Sequence, residues 1–207
     1  MKSIYFTFCA ILLGVFFAQA ARTVVVIDAG HGGKDLGCHP DKYYEKHFTL
    51  DTAYRVKALL DMRGVPNVMV RNNDYYLSLQ QRVRKANKYS RAIFVSLHYN
   101  YTKSRSVRGI ETFYFGGAGR SYSLAKSVHY SLLNRVYVND RKVKPRSGLY
   151  VLKHTRHPAI LVEGGFLSNK KEREAISKGA YRQALAEGIV EGICSFLGYK
   201  KRQILLQ

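Results

Sequence analysis

The chain has 207 residues, with 34 Lys and Arg against 14 Asp and Glu and a formal net charge of +20. That length suits one domain with a full core, and no Gly/Ser/Pro-rich linker, internal repeat or low-complexity segment divides it. So basic a surface favours anionic partners but says nothing of fold.

The first twenty residues stand apart. Lys2 gives a short positive start, Ile4 to Phe17 is strongly apolar, and Ala18-Gln19-Ala20 is a small-x-small cleavage site. This is the pattern of a secretory signal peptide. Its apolar core is shorter than the ~20 residues a membrane span needs, and no further transmembrane segment follows. The expected division is residues 1–20 as signal peptide and 21–207 as a single domain, exported to the periplasm or cell envelope. For an exported chain, the basic surface fits anionic envelope polymers or lipid headgroups better than nucleic acid. Two cysteines remain after processing, Cys38 and Cys194; export permits a bridge, but pairing is not legible from spacing.

In chain order, Val24 to Ile27 is a short apolar run that reads as a buried strand. It leads to His31 in a glycine-flanked turn, where small residues allow close backbone approach. A polar loop reaches Tyr44 and Glu45. A helix follows, with Ala53, Val56 and Leu60 inward and Gly64 at its end. Val65 to Arg71 reads as a second strand, and Pro66 places it at an edge or a strand start. Asn72-Asn73-Asp74 is turn chemistry. Ser78 and Gln81 form a capping box for a helix with Leu79, Val83 and Ala86 as its inner stripe.

Ala92 to Leu97 is a third strand, running directly into His98. A basic loop, Tyr101 to Arg108, precedes a fourth strand from Gly109 to Phe115. Ser121 opens a helix with Ala125, Val128, Leu132 and Val136 on one side. Asp140 to Ser147 reads as a loop, and Gly148 to Leu152 as a short strand. Ala159 to Val162 is a further buried strand and runs into Glu163. Asn169, with Glu172 three residues on, caps a short helical turn. Tyr181, Leu185, Ile189, Ile193 and Phe196 mark a long last helix. Alternating strands and helices predict an α/β fold: a three-layer sandwich with a mostly parallel central sheet of about six strands flanked by helices.

Three buried strands thus end on, or just before, a residue that can bind metal or move a proton. In α/β sheets, ligands sit outside the carboxyl ends of the strands, so parallel pairing would bring His31, His98 and Glu163 to one cleft. Two imidazoles and a carboxylate, His31, His98 and Glu45, make the ligand set of a catalytic zinc site. Glu45 at a helix mouth also suits the positive helix end. Glu163, set between apolar residues and a Gly-Gly pair, would be costly to bury without a partner and is the candidate general base or acid. His154 and His157 compete poorly, because Pro158 argues against a helix that would put them on one face. His39, His47 and His129 have no partners at useful spacing.

Five stretches, in order, resemble one family. They are V-V-I-D-A-G-H-G-G-K-D-x-G, then E-K, F-V-S-L-H-Y-N, R-G-I-E-T-F-Y-F, and P-A-I-L-V-E-G-G-F-L-S-N, with an R-V-R-K-A-N helix at Arg82 to Asn87. Together they are similar to the zinc-dependent N-acetylmuramoyl-L-alanine amidases of the amidase-3 type, across essentially the whole mature chain. The resemblance implies hydrolysis of the amide between the muramic lactyl group and the first L-alanine of the peptidoglycan stem. It implies one Zn2+ per chain held by His31, Glu45 and His98, with Glu163 as catalytic glutamate. Tyr99 and Tyr101 stand where small residues are usual, an aromatic pair expected to reshape substrate contacts. Gly164-Gly165 replaces a more varied pair. Gly116 to Ser147 has room for one helix and one loop, so an inserted plugging helix, and hence an obligate activator, is not expected. No separate wall-binding repeat or domain is visible. The alternatives are another zinc-dependent cell-wall hydrolase, a carboxypeptidase or deacetylase, or a non-enzymatic basic envelope-binding module.

Overall fold

A computed structural model describes residues 22–117 and 119–199. The expected signal peptide, residues 1–20, lies outside the described residues. Six strands form one sheet in the order β2-β1-β3-β6-β4-β5. The strands are β1 (Val24–Ala29), β2 (Asn67–Met69), β3 (Ala92–Asn100), β4 (Ile110–Tyr114), β5 (Asp140–Pro145) and β6 (Ala159–Phe166). β2, β1, β3 and β6 pair in parallel, β4 runs antiparallel to β6, and β5 is parallel to β4. The sheet is therefore mostly parallel, as the alternating pattern predicts.

Helices α1 (Glu45–Met62), α3 (Gly119–Leu133) and α6 (Gly179–Leu197) cover one face. Ala53, Val56 and Leu60 of α1 are fully buried there, each larger aliphatic side chain contributing about 1.5–3 kcal/mol. Gly188 and Gly192 let α6 lie directly on α3. A Cβ at Gly192 would stand 2.4 Å from the Val128 Cα. The shorter α2 (Leu79–Ala86) and α4 (Tyr150–His154) pack on the other face, where Val83, Ala86, Val151 and Leu152 meet Phe94, Phe113 and Leu161. α5 (Lys170–Ser177) opens at Asn169, whose side chain accepts from the Glu172 N–H. No helix among the described residues is long and apolar enough to cross a membrane.

Several local expectations are corrected. Asp140 to Pro145 is a strand, not a loop. Its charged residues hide the usual alternation, because an edge strand keeps one side in water and charge there discourages further pairing. Gly148 to Leu152 is not a strand; Tyr150 begins α4, which ends at His154 ahead of Pro158. The second strand shrinks to three residues at the sheet edge, consistent with Pro66. Leu79, expected on an inner stripe, is 50 % exposed at the first turn of α2. Val136 is buried but lies beyond the end of α3. Cys38 and Cys194 are both free thiols.

Candidate active site

β1 ends in a turn where His31 adopts φ +61°, a left-handed conformation uncommon outside glycine. Two buried arginines hold that turn by its carbonyls. Arg71 donates to Ala29 O and Gly30 O, both at 2.9 Å. Arg82 donates to Ala29 O at 2.8 Å and His31 O at 2.6 Å. Arg82 is itself neutralised by Asp28 at 2.7 Å, whose other oxygen accepts from the Ser96 hydroxyl at 2.8 Å. Such buried charges are tolerated because Arg82 and Asp28 are paired and the Arg71 guanidinium is hydrogen-bonded to carbonyls throughout. On the ring itself, His31 Nδ1 lies 2.9 Å from Asp35 Oδ1, which leaves Nε2 to face the cleft.

Glu45 is the first residue of α1 and is buried. Its Oε1 lies 3.0 Å from His31 Nε2 and 3.1 Å from His98 Nδ1, and it accepts the Tyr99 N–H at 3.0 Å. Its Oε2 accepts the Cys38 N–H at 3.0 Å. Burial alone would raise its pKa, but hydrogen bonds and charge from the two histidines hold it far below the usual carboxylate range. Burial would lower the pKa of His31, yet the partnership with Glu45, aided by Asp35, raises it.

His31, Glu45 and His98 each offer one ligand atom, and these atoms lie within 4.8 Å of one another. The surrounding backbone is shaped to this cluster. A Cβ on Gly30 would come within 2.3 Å of the His98 ring, and one on Gly37 within 2.6 Å of Glu45 Oε2. A donor set of two imidazoles and an ionised carboxylate, in a cradle closed to any larger side chain, fits a divalent transition metal such as zinc.

Parallel register sets Glu163 of β6 beside His98 of β3. Their neighbours Val162 and Leu97 belong to the core under α1 and α6, so Glu163 and His98 point to the opposite face, beside the metal-ligand cluster. Glu163 Oε2 is buried and has no hydrogen-bond partner among the described residues. Burial, with the negative charges of Glu45 and Glu111, pushes its carboxyl well above the usual range, against an opposing pull from Arg146. The four residues singled out in the sequence therefore share one site.

The Tyr99 side chain does not face the metal-ligand cluster. It is buried on the far side of β3, with its hydroxyl 2.7 Å from Thr52 Oγ1 and its ring against Phe48. Tyr101 is exposed, 6.0 Å from the Arg105 guanidinium. His129 is buried between Thr112 and Asp140, and His154 packs on Tyr150. Gly116 to Ser147 contains α3 and β5. Sequence reasoning missed Asp35, Arg71 and Arg82. The motif G-G-K-D carries the first, and the R-V-R-K-A-N helix carries the last.

The chain matches the N-acetylmuramoyl-L-alanine amidase model Amidase_3 over residues 25–195. It belongs to that family of amidases. Among individual relatives, it is 30% identical over 191 residues to the germination-specific N-acetylmuramoyl-L-alanine amidase of Bacillus subtilis, covering 86% of this chain and 81% of that one. It is 34% identical over 174 residues to the amidase LytC of the same organism, covering 83% of this chain but only 35% of LytC. The crystal structure of an N-acetylmuramoyl-L-alanine amidase from Clostridium difficile 630 superposes with a TM-score of 0.82 at 36% identity, covering 86% of this chain and 98% of that one.

Proposed function

We propose that this chain is an exported, zinc-dependent peptidoglycan amidase, cleaving the bond between the muramic lactyl group and L-alanine. The observation that carries the reading is the convergence of His31, Glu45 and His98 beside a glutamate with a buried, unpartnered oxygen. In it, His31, Glu45 and His98 would hold the ion, and the chemistry supplied by bound zinc would be Lewis acidity toward the scissile carbonyl and water. Glu163 takes the proton of the attacking water and returns it to the departing alanine amine, a role contributing ~10²–10⁴-fold. Asp35 fixes the His31 ring, and Arg71 and Arg82 fix the backbone that carries it. The amide assignment, over carboxypeptidase or deacetylase chemistry, is supported by the family match across residues 25–195.

Digestion of purified peptidoglycan with product identification by mass tests this reading, alongside elemental analysis of the protein. The expected products are intact stem peptides with free alanine amines, from protein holding about one zinc per chain and with no added partner. Release of a single terminal amino acid or of acetate would overturn the amidase reading. Activity in metal-free protein would overturn the zinc. Activity only after adding a partner would show that an activator is needed.

A further inference from the structure

Glu163 has a neighbour on its other side. β4 pairs with β6 in a register that sets Glu111 opposite Glu163, so both carboxylates project from the same face. β5 supplies positive charge to this pair. Arg141 pairs with one oxygen of Glu111, and Lys144 Nζ lies 3.3 Å from the other. In a regular strand, residues three apart face opposite sides. Here the β4–β5 register shifts between Ile110 and Thr112, and Lys142 takes φ +75°. That bulge turns both cations to one face. Arg146, just past β5, stands 5.3 Å over the Phe113 ring, and its charge reaches Glu163. Two cations thus pair with Glu111, more than its single charge requires, and the charge of a third, Arg146, reaches its neighbour Glu163. Arg141 and Lys144 remain 35% and 41% exposed, and Arg146 is exposed.

We propose that Arg141 and Lys144, paired with Glu111, and Arg146, beside Phe113 of the same strand, form a subsite for the carboxylates of the stem peptide beyond the scissile amide. The inference rests on the amidase reading above and gives that site a direction. Strands lie ~4.8 Å apart, which puts β4 about 10 Å and β5 about 14 Å from His98. An extended peptide advances ~3.3–3.6 Å per residue, so a stem crossing the strands from the metal-ligand cluster reaches these cations with about its third or fourth residue. Free carboxylates occur along the stem, whereas the glycan side is neutral sugar whose lactyl carboxyl is consumed in the amide. The peptide therefore runs toward β5, and the glycan toward β1.

Two synthetic muramyl peptides test this, alike except that the acidic groups beyond alanine are free in one and amidated in the other. Binding is measured by calorimetry and cleavage by peptide release, with wild type, Lys144→Gln and Arg146→Gln. Wild type should bind the free acid about tenfold more tightly, as charge-assisted hydrogen bonds imply. Each variant should reduce that preference severalfold, and the double variant should bring it close to one. Equal binding of both peptides by wild type, or variants that keep the full preference, would overturn the subsite. Acid-selective binding without cleavage would sink the amidase reading and leave the subsite standing. Cleavage of both peptides with equal affinity would do the reverse.

Discussion

Glu45 and Glu163 are the same side chain in two environments, and the contrast separates holding a metal from moving a proton. Glu45 is ionised by two histidines and two backbone N–H donors. Glu163 has burial and like charge around it. Glu163→Gln keeps shape but cannot accept a proton, so turnover should fall ~10²-fold or more with zinc retained. Glu45→Ala and His98→Ala each remove one of the three proposed protein ligands, so zinc occupancy and activity should fall together. Metal content and peptide release, measured on the same preparations, check this. Loss of zinc in Glu163→Gln with retention in Glu45→Ala would mean the two roles are exchanged. These residues were legible because each follows an apolar strand run or opens a helix. Arg71 and Arg82 were not, because an arginine that serves backbone carbonyls through the core leaves no periodic trace in the sequence.

At the scale of elements, the buried strands β1, β3 and β6 were legible from continuous apolar runs, and α6 from its long 3.6-residue stripe. The β5 edge was not, since its pattern is charge, one bulge and a proline. What anchors it is tertiary: Asp140 accepts from His129 of α3 at 2.8 Å and also pairs with Lys142. Burial opposes ionisation of Asp140, but Lys142 and His129 together outweigh it and bring its pKa down to about 2. Because the folded value lies below the unfolded one, the resulting stability is present above pH ~4 and is lost as pH falls through about 2. Asp140→Asn should therefore destabilise the domain at pH 6 by on the order of 1 kcal/mol. The deficit should shrink by pH 3. Urea unfolding of both proteins at the two pH values measures it, and a pH-independent difference would assign the effect to packing instead.

For the whole molecule, a charge of +20 on 207 residues is far more than the substrate cations of one cleft. If that surface tethers the enzyme to anionic wall polymers, binding to whole sacculi should weaken between low and physiological salt. Cleavage of a small soluble muramyl peptide should change much less. Equal salt sensitivity of the two would return the excess charge to general solubility.

The strand order β2-β1-β3-β6-β4-β5 also governs when the molecule comes into being. β6 is the last strand among the described residues, yet it sits between β3 and β4. A ribosome releases β3, which ends at Asn100, and β4, which ends at Tyr114, well before the strand that must join them, which begins at Ala159. Until then each has a bare edge, and only a chain extended past Phe166 can close the gap. Such long-range pairing folds late and slowly, with edges exposed to wrong partners meanwhile. Since β6 also carries Glu163, an unfinished chain cannot hold the complete set of four site residues. Ordering the chain this way delays a wall-cutting activity until synthesis of the domain is almost done.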